Sequence, residues 1–178
     1  MLNKFFVTVG YSGLSPKAPG TVGSFVAFLL GMGLLQIISI TTLFLLSLLI
    51  SVIAVKQIDL YEKETGIHDT KEIVIDELAG MWITMGVAGV TANNWIMGII
   101  AFVFFRLFDI WKPSIIGKID QNVKGGWGVM GDDMLAGVFA GLCTSLLFFN
   151  LFIVLKQTLL KVYFNQTSLK SLTTLLGE

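Results

Sequence analysis

Five apolar stretches, at 21–39, 40–55, 78–90, 95–108 and 134–155, make up about half of the 178 residues, and the short segments between them hold nearly all the charge. Each stretch is long enough for a helix of three to six turns, but only the first and last reach the ~20 residues that cross a bilayer comfortably. The pattern predicts an all-α fold: a helical integral membrane protein of about four to five apolar helices, with its polar motif loops gathered on one side. Residues 1–155 read as one helical membrane domain and 156–178 as a mildly amphipathic C-terminal tail without grouped acids. The two middle stretches flank a polar turn, TANN at 91–94. They read as short tilted spans, a re-entrant hairpin or helices buried in protein.

Composition agrees, with 54% hydrophobic and 13% charged residues against roughly 45–50% and about 25% in ordinary globular chains. Twelve basic and twelve acidic residues cancel, so no basic excess draws the chain to nucleic acid. Cys143 and His68 are each the sole residue of their type, which leaves no ligand set for zinc. Any metal must be held by oxygen. The first residues lack the length of apolar run that a removable signal peptide needs, so the N-terminus is expected to stay.

If all five stretches cross, Lys4, Lys17, Lys56, Lys63, Lys71, Arg106, Lys112, Lys118 and Lys124 share one side, and only Lys156, Lys161 and Lys170 lie opposite. Positive-inside reasoning makes the first side cytoplasmic. All the acids except Glu178 fall there too. A channel or ion-coupled transporter would more often carry ionisable groups midway along its spans, whereas here they sit at the ends. The arrangement reads as a catalytic or binding face on a membrane anchor.

Four segments could carry chemistry. In GYSGLSPKAPGTVGS, glycines and prolines make a tight loop leading into a helix whose start, near Thr21 or Ser24, could hold a phosphate oxygen; a turn and a helix cap explain it as simply. GIHDTKEIVIDELAG places His68 and Asp69 in a loop and Asp76 and Glu77 ahead of an apolar run. One such acid can serve the helix dipole while its neighbour, about 100° round the helix, turns inward. FRLFDIWKP lines Arg106, Asp109 and Lys112 along one helical strip that Pro113 should end; snorkelling at the interface, with Trp111 among the headgroups, accounts for part of it. In KIDQNVKGGWGVMGDDMLAG, the glycines at 125, 126, 128 and 131 are expected to form a flexible loop delivering Asp132 and Asp133 to the start of the last helix, as caps or as metal ligands, with Lys124 in reach of an anion. Carboxylates, cations and glycine-rich turns on one membrane face point to Mg²⁺-assisted chemistry on a phosphate.

These same strings, GLSPKAPGTVGS, GIHDTKEIVIDELAGMW, FRLFDIWKP and KIDQNVKGGWGVMGDDMLAG, occur in an order that resembles the phosphatidylglycerophosphatase A family over most of residues 10–141. The resemblance implies a Mg²⁺-dependent lipid phosphatase that converts phosphatidylglycerophosphate to phosphatidylglycerol at the cytoplasmic face of a bacterial inner membrane. It nominates Asp76, Asp109 and Asp133 as ligands of the ion, directly or through water, with Glu77 and Asp132 as further or alternate ligands. Arg106, Lys112 and Lys124 would hold phosphate, and His68 with Asp69 would serve as acid or base, or as a structural loop contact. With no cysteine near the motifs, a metal-activated water is favoured over a phosphorylated side chain. A CDP-alcohol phosphatidyltransferase is the rival enzyme, but its DGxxAR…GxxxDxxxD pattern is missing. A small transporter or an inactive membrane scaffold are the rivals outside enzymes, and the oligomeric state, a homo-oligomer included, stays open.

Overall fold

The computed structural model describes residues 2–66, 70–113 and 115–176. Its helices are α1 (Leu2–Val7), α2 (Pro19–Leu34), α3 (Ile40–Thr65), α4 (Ile75–Ala88), α5 (Trp95–Trp111), α6 (Ile115–Asn122) and α7 (Gly126–Leu176), with a single 3₁₀ turn at Ser12–Leu14. No strand occurs among the described residues, so the all-α expectation holds.

α4 is the centre of the core. Beyond its acidic first turn it is apolar nearly all round, and Ile75, Leu78, Ala79, Met81, Trp82, Ile83, Met85 and Ala88 are all buried, as expected of a helix enclosed by protein rather than one with a solvent face. α2, α3 and α5 pack around it. Trp82 Nε1 donates to the Ala27 carbonyl of α2 at 2.8 Å, which satisfies the one polar atom of a buried indole. The α3 face toward the core is stepped with small residues, Ser47, Ser51 and Ala54. Both serine hydroxyls bond back to carbonyls of their own helix, so they can be buried without an outside partner.

Helix ends follow local chemistry. Ser39, read above as the end of the first apolar stretch, instead caps α3, its hydroxyl accepting from Thr42 N at 3.1 Å. Asn94 of the TANN turn caps α5 by accepting from Met97 N at 3.1 Å. Gly66 and Gly89 close α3 and α4 with φ of 71° and 75°, a region glycine enters without penalty.

α3 runs on past the apolar stretch that ends at residue 55, to Thr65. One expectation is corrected: the glycines at 126, 128 and 131 are not a flexible loop, since only Gly125 lies outside α7, which starts at Gly126. At 126 and 128 glycine is required because backbones meet there. A Cβ at Gly126 would stand 2.2 Å from the Val55 carbonyl oxygen, and one at Gly128 2.0 Å from that of Val123.

Among the described residues, two helices are long and apolar enough to cross a membrane by length and composition, Ile40–Thr65 and Gly126–Leu159. α2, α4 and α5, at 16, 14 and 17 residues, extend only about 21–26 Å at 1.5 Å per residue, short of the ~30 Å hydrocarbon core. The chain divides into a compact unit, Met1–Ser145, and a second unit, Leu146–Glu178. The second is helical to Leu176, and its side chains from 151 to 159 are exposed.

Candidate functional site

The acidic motif is seated by the glycines ahead of α2 and in its first turns. A Cβ at Gly13 would lie 2.1 Å from the Glu72 carbonyl oxygen, one at Gly20 2.1 Å from Glu77 Oε1, and one at Gly23 2.6 Å from Val74 Cβ. Val74 N also donates to the Val7 carbonyl at 3.0 Å. These glycines form the surface against which residues 72–77 enter α4. Thr21 and Ser24 lie in α2 and take part in a network behind the site. Arg106 Nη1 donates to Glu77 Oε2 at 3.1 Å, to Ser24 Oγ at 3.0 Å and to Asp109 Oδ2 at 2.5 Å, while Nη2 reaches Thr21 Oγ1 at 3.3 Å. Ser24 Oγ donates to Glu77 Oε2. One guanidinium thus ties α2, α4 and α5 together through two mostly buried carboxylates, an arrangement suited to the planar donor fork of arginine.

In front of this network is a cavity of about 250 Å³ lined by Thr70, Lys71, Asp76, Glu77, Asp109, Lys112, Asp132 and Asp133, with Ile73, Val123, Gly128 and Val129 completing its wall. Five acids from three helices therefore share one space. Asp132 and Asp133 stand in the second turn of α7 and not at its start, so helix capping does not explain them. Lys112 ends α5 in the left-handed conformation, φ 43°, which is strained for a lysine and more so before proline. Its Nζ meets Asp132 Oδ2 at 2.6 Å. Strain of this kind persists where the surrounding structure requires it and is concentrated at functional sites.

The electrostatics are those of an acid cluster short of cations. Burial pushes the Asp76 carboxyl well above the usual carboxylate range, and the charges of Glu77, Asp132 and Asp109 add to the shift. Burial raises Glu77 to about 7 against the opposing pull of Arg106 and the Ser24 hydroxyl. Asp76 Oδ1 and Asp133 Oδ2 are buried with no hydrogen-bond partner, as is Thr70 Oγ1. Buried carboxylate oxygens without partners are costly. Both carboxylates face a polar cavity, and hard oxygen donors of this type suit Mg²⁺.

The oxygens do not form a closed cage. Among the described residues no three acidic or other metal-ligating side chains converge tightly enough to hold an ion unaided. Arg106 already holds Glu77 and Asp109, and Lys112 holds Asp132. For Mg²⁺ this is no obstacle, because the ion keeps several waters and is commonly bound by one or two carboxylates plus substrate phosphate. The donor set fits the ion, with Asp76 and Asp133 offering the open oxygens.

The structure thus brings Asp76, Glu77, Asp109, Asp132, Asp133 and Lys112 into one cavity. Arg106, Thr21 and Ser24 stand behind it. Lys124 is exposed between α6 and α7, outside the cavity lining. His68 and Asp69 lie outside the described residues. Thr70 and Lys71 line the cavity and were not nominated from sequence; their only signal was their position just ahead of the acidic motif.

The phosphatidylglycerophosphatase A family model matches residues 5–148. The phosphatidylglycerophosphatase A of Escherichia coli strain K12 is 40% identical over 139 residues, covering 75% of this chain and 77% of its own. That of Haemophilus influenzae is 34% identical over 135 residues, covering 75% and 82%. A Bacteroides thetaiotaomicron protein provisionally named a phosphatidylinositol-3-phosphatase is 37% identical over 134 residues, covering 72% and 82%. No solved structure matches the chain.

Proposed function

The chain belongs to the phosphatidylglycerophosphatase A family, and from that membership we propose that it hydrolyses phosphatidylglycerophosphate to phosphatidylglycerol and phosphate, with Mg²⁺, in phospholipid biosynthesis at the cytoplasmic face of a bacterial inner membrane. That it is a phosphatase follows from its relatives. The observation that carries the finer reading is the pair of buried, unpartnered oxygens, Asp76 Oδ1 and Asp133 Oδ2, on a cavity that also presents Lys71 and Lys112.

In this reading Asp76 and Asp133 hold the ion. When bound, the ion would supply positive charge to the phosphate oxygens. Lys112, fixed by Asp132, and Lys71 at the cavity mouth orient the headgroup phosphates. Glu77, with an ionisation near neutrality, stands at the wall to take a proton from the attacking water. Arg106 positions Glu77 and Asp109 and does not contact substrate. The exposed apolar residues Leu45, Leu49 and Val52 on α3 and Leu107, Ile110 and Trp111 on α5 form the kind of surface that soluble monomers rarely carry. They support membrane association, which keeps the lipid tails in the bilayer while the headgroup reaches the site.

The test is phosphate release from phosphatidylglycerophosphate in detergent micelles, with phosphatidylinositol 3-phosphate and phosphatidic acid as competitors for the assignment. Turnover of the first that stops with EDTA and returns with Mg²⁺ supports the reading. Preference for either competitor would replace the substrate.

A further inference from the structure

Next to the polar cavity along α5 is a second, apolar one of about 210 Å³, lined by Phe108, Pro113, Ile115, Ile116 and Phe139. The two share a partition. Lys112 and Asp109 line the polar cavity, and their chain neighbours Pro113 and Phe108 line the apolar one. α5 and α7 are joined across this partition by an ionic contact, Lys112 to Asp132 at 2.6 Å, and below it by an aromatic one, Phe108 stacked on Phe139 with centroids 6.1 Å apart. Phe139 is seven residues beyond Asp132 on α7 and so lies on the same face, about 10 Å further along the axis. Ile116 is fully enclosed, but Phe139 and Ile115 are 38% and 56% exposed, so the groove is open on one side.

We propose that this groove between α5, α7 and the start of α6 binds the proximal part of one acyl chain of the phospholipid whose headgroup occupies the polar cavity, and so sets chain-length preference. The inference rests on the lipid-phosphatase reading above. It commits to the substrate's own chain because the groove adjoins the headgroup site along α5, where Phe108 and Pro113 follow directly on Asp109 and Lys112. The apolar cavity among Phe5, Leu30, Ile50, Ile75 and Leu78 is larger, at about 330 Å³, but draws no lining from α5, α6 or α7, the side on which Lys112 pairs with Asp132, and serves as the control.

The full-length protein is assayed in micelles on dihexanoyl and dioleoyl phosphatidylglycerophosphate, comparing wild type with Phe139→Trp, which fills the groove, Ile115→Ser, which opens it at an exposed position, and Leu30→Trp in the control cavity. Both groove variants should lower kcat/KM on the dioleoyl substrate ~10-fold or more, the discrimination that small changes in an apolar pocket supply, with much less change on the dihexanoyl one. The control should keep the wild-type ratio. Equal losses on both substrates, no loss, or a chain-length effect arising only in Leu30→Trp would overturn the groove. A phosphatidylglycerophosphate with a photoreactive group early in one chain gives a readout independent of turnover. Crosslinks within 108–116 or at 139 support the proposal, and crosslinks confined elsewhere overturn it. A wild type that crosslinks in the groove yet releases no phosphate would reject the functional reading alone.

Discussion

Two neighbouring acids on α4 behave differently because of what faces them. Glu77 is held by Arg106 and Ser24, whereas Asp76 leaves an oxygen without a partner. Both ionise at higher pH than free carboxyls because burial disfavours their charged forms. Between the ordinary glutamate range and about 7 the folded state therefore keeps protons that the unfolded chain has released, and stability falls as pH rises through that window. In EDTA the thermal midpoint should drop between about pH 5 and about pH 7, and Mg²⁺ should raise it more at pH 7.5 than at pH 5 because the ion displaces those protons. A midpoint that Mg²⁺ shifts equally at both values would contradict the assignment of Asp76 to the ion. Arg106 offers a separate test. Its side chain and those of Glu77 and Asp109 are only 14%, 11% and 12% exposed, so Arg106→Met leaves two buried carboxylates without their cation. The expected loss is ~3–5 kcal/mol, read by thermal or denaturant unfolding; near-wild-type stability would show that the network is not structural.

The contact between α4 and α7 depends on the absence of side chains. A Cβ at Gly80 would lie 2.6 Å from the Phe105 ring and 2.7 Å from the Asp133 carbonyl oxygen, and one at Gly137 2.5 Å from the Gly80 carbonyl oxygen. Gly80→Ala should cost ~1–3 kcal/mol through overpacking and displace Asp133, lowering activity as well. Full stability and activity in that variant would mean that the helices tolerate separation. This packing also explains what the sequence left hidden. The apolar runs, the acids ahead of α4 and the TANN turn could be read because periodicity, dipole preference and capping act within a few residues. The glycines at 126 and 128 read from sequence as a loop, since what makes them a close approach is a carbonyl of α3 or of the α6–α7 connection that sequence does not bring near. Thr70 and Lys71 were missed for the same reason: only the folded chain turns them toward Asp76 and Asp132.

The chain joins a buried polar cavity to an apolar exterior, and the two long helices with the exposed residues of α3 and α5 should keep it in the membrane pellet after alkaline carbonate extraction. Release by carbonate or high salt would contradict a bilayer anchor. Gathering five acids into one cavity carries a desolvation cost that packing alone does not repay, and the proposed cation would supply the missing positive charge. The most direct test is the Mg²⁺ dependence of phosphate release from phosphatidylglycerophosphate in wild type, Asp76→Asn and Asp133→Asn, with folding checked by circular dichroism. Each variant should fold, with release reduced at least ~100-fold and not restored at any Mg²⁺ concentration. Wild-type turnover in either variant, or wild-type release that persists in EDTA, would contradict the account.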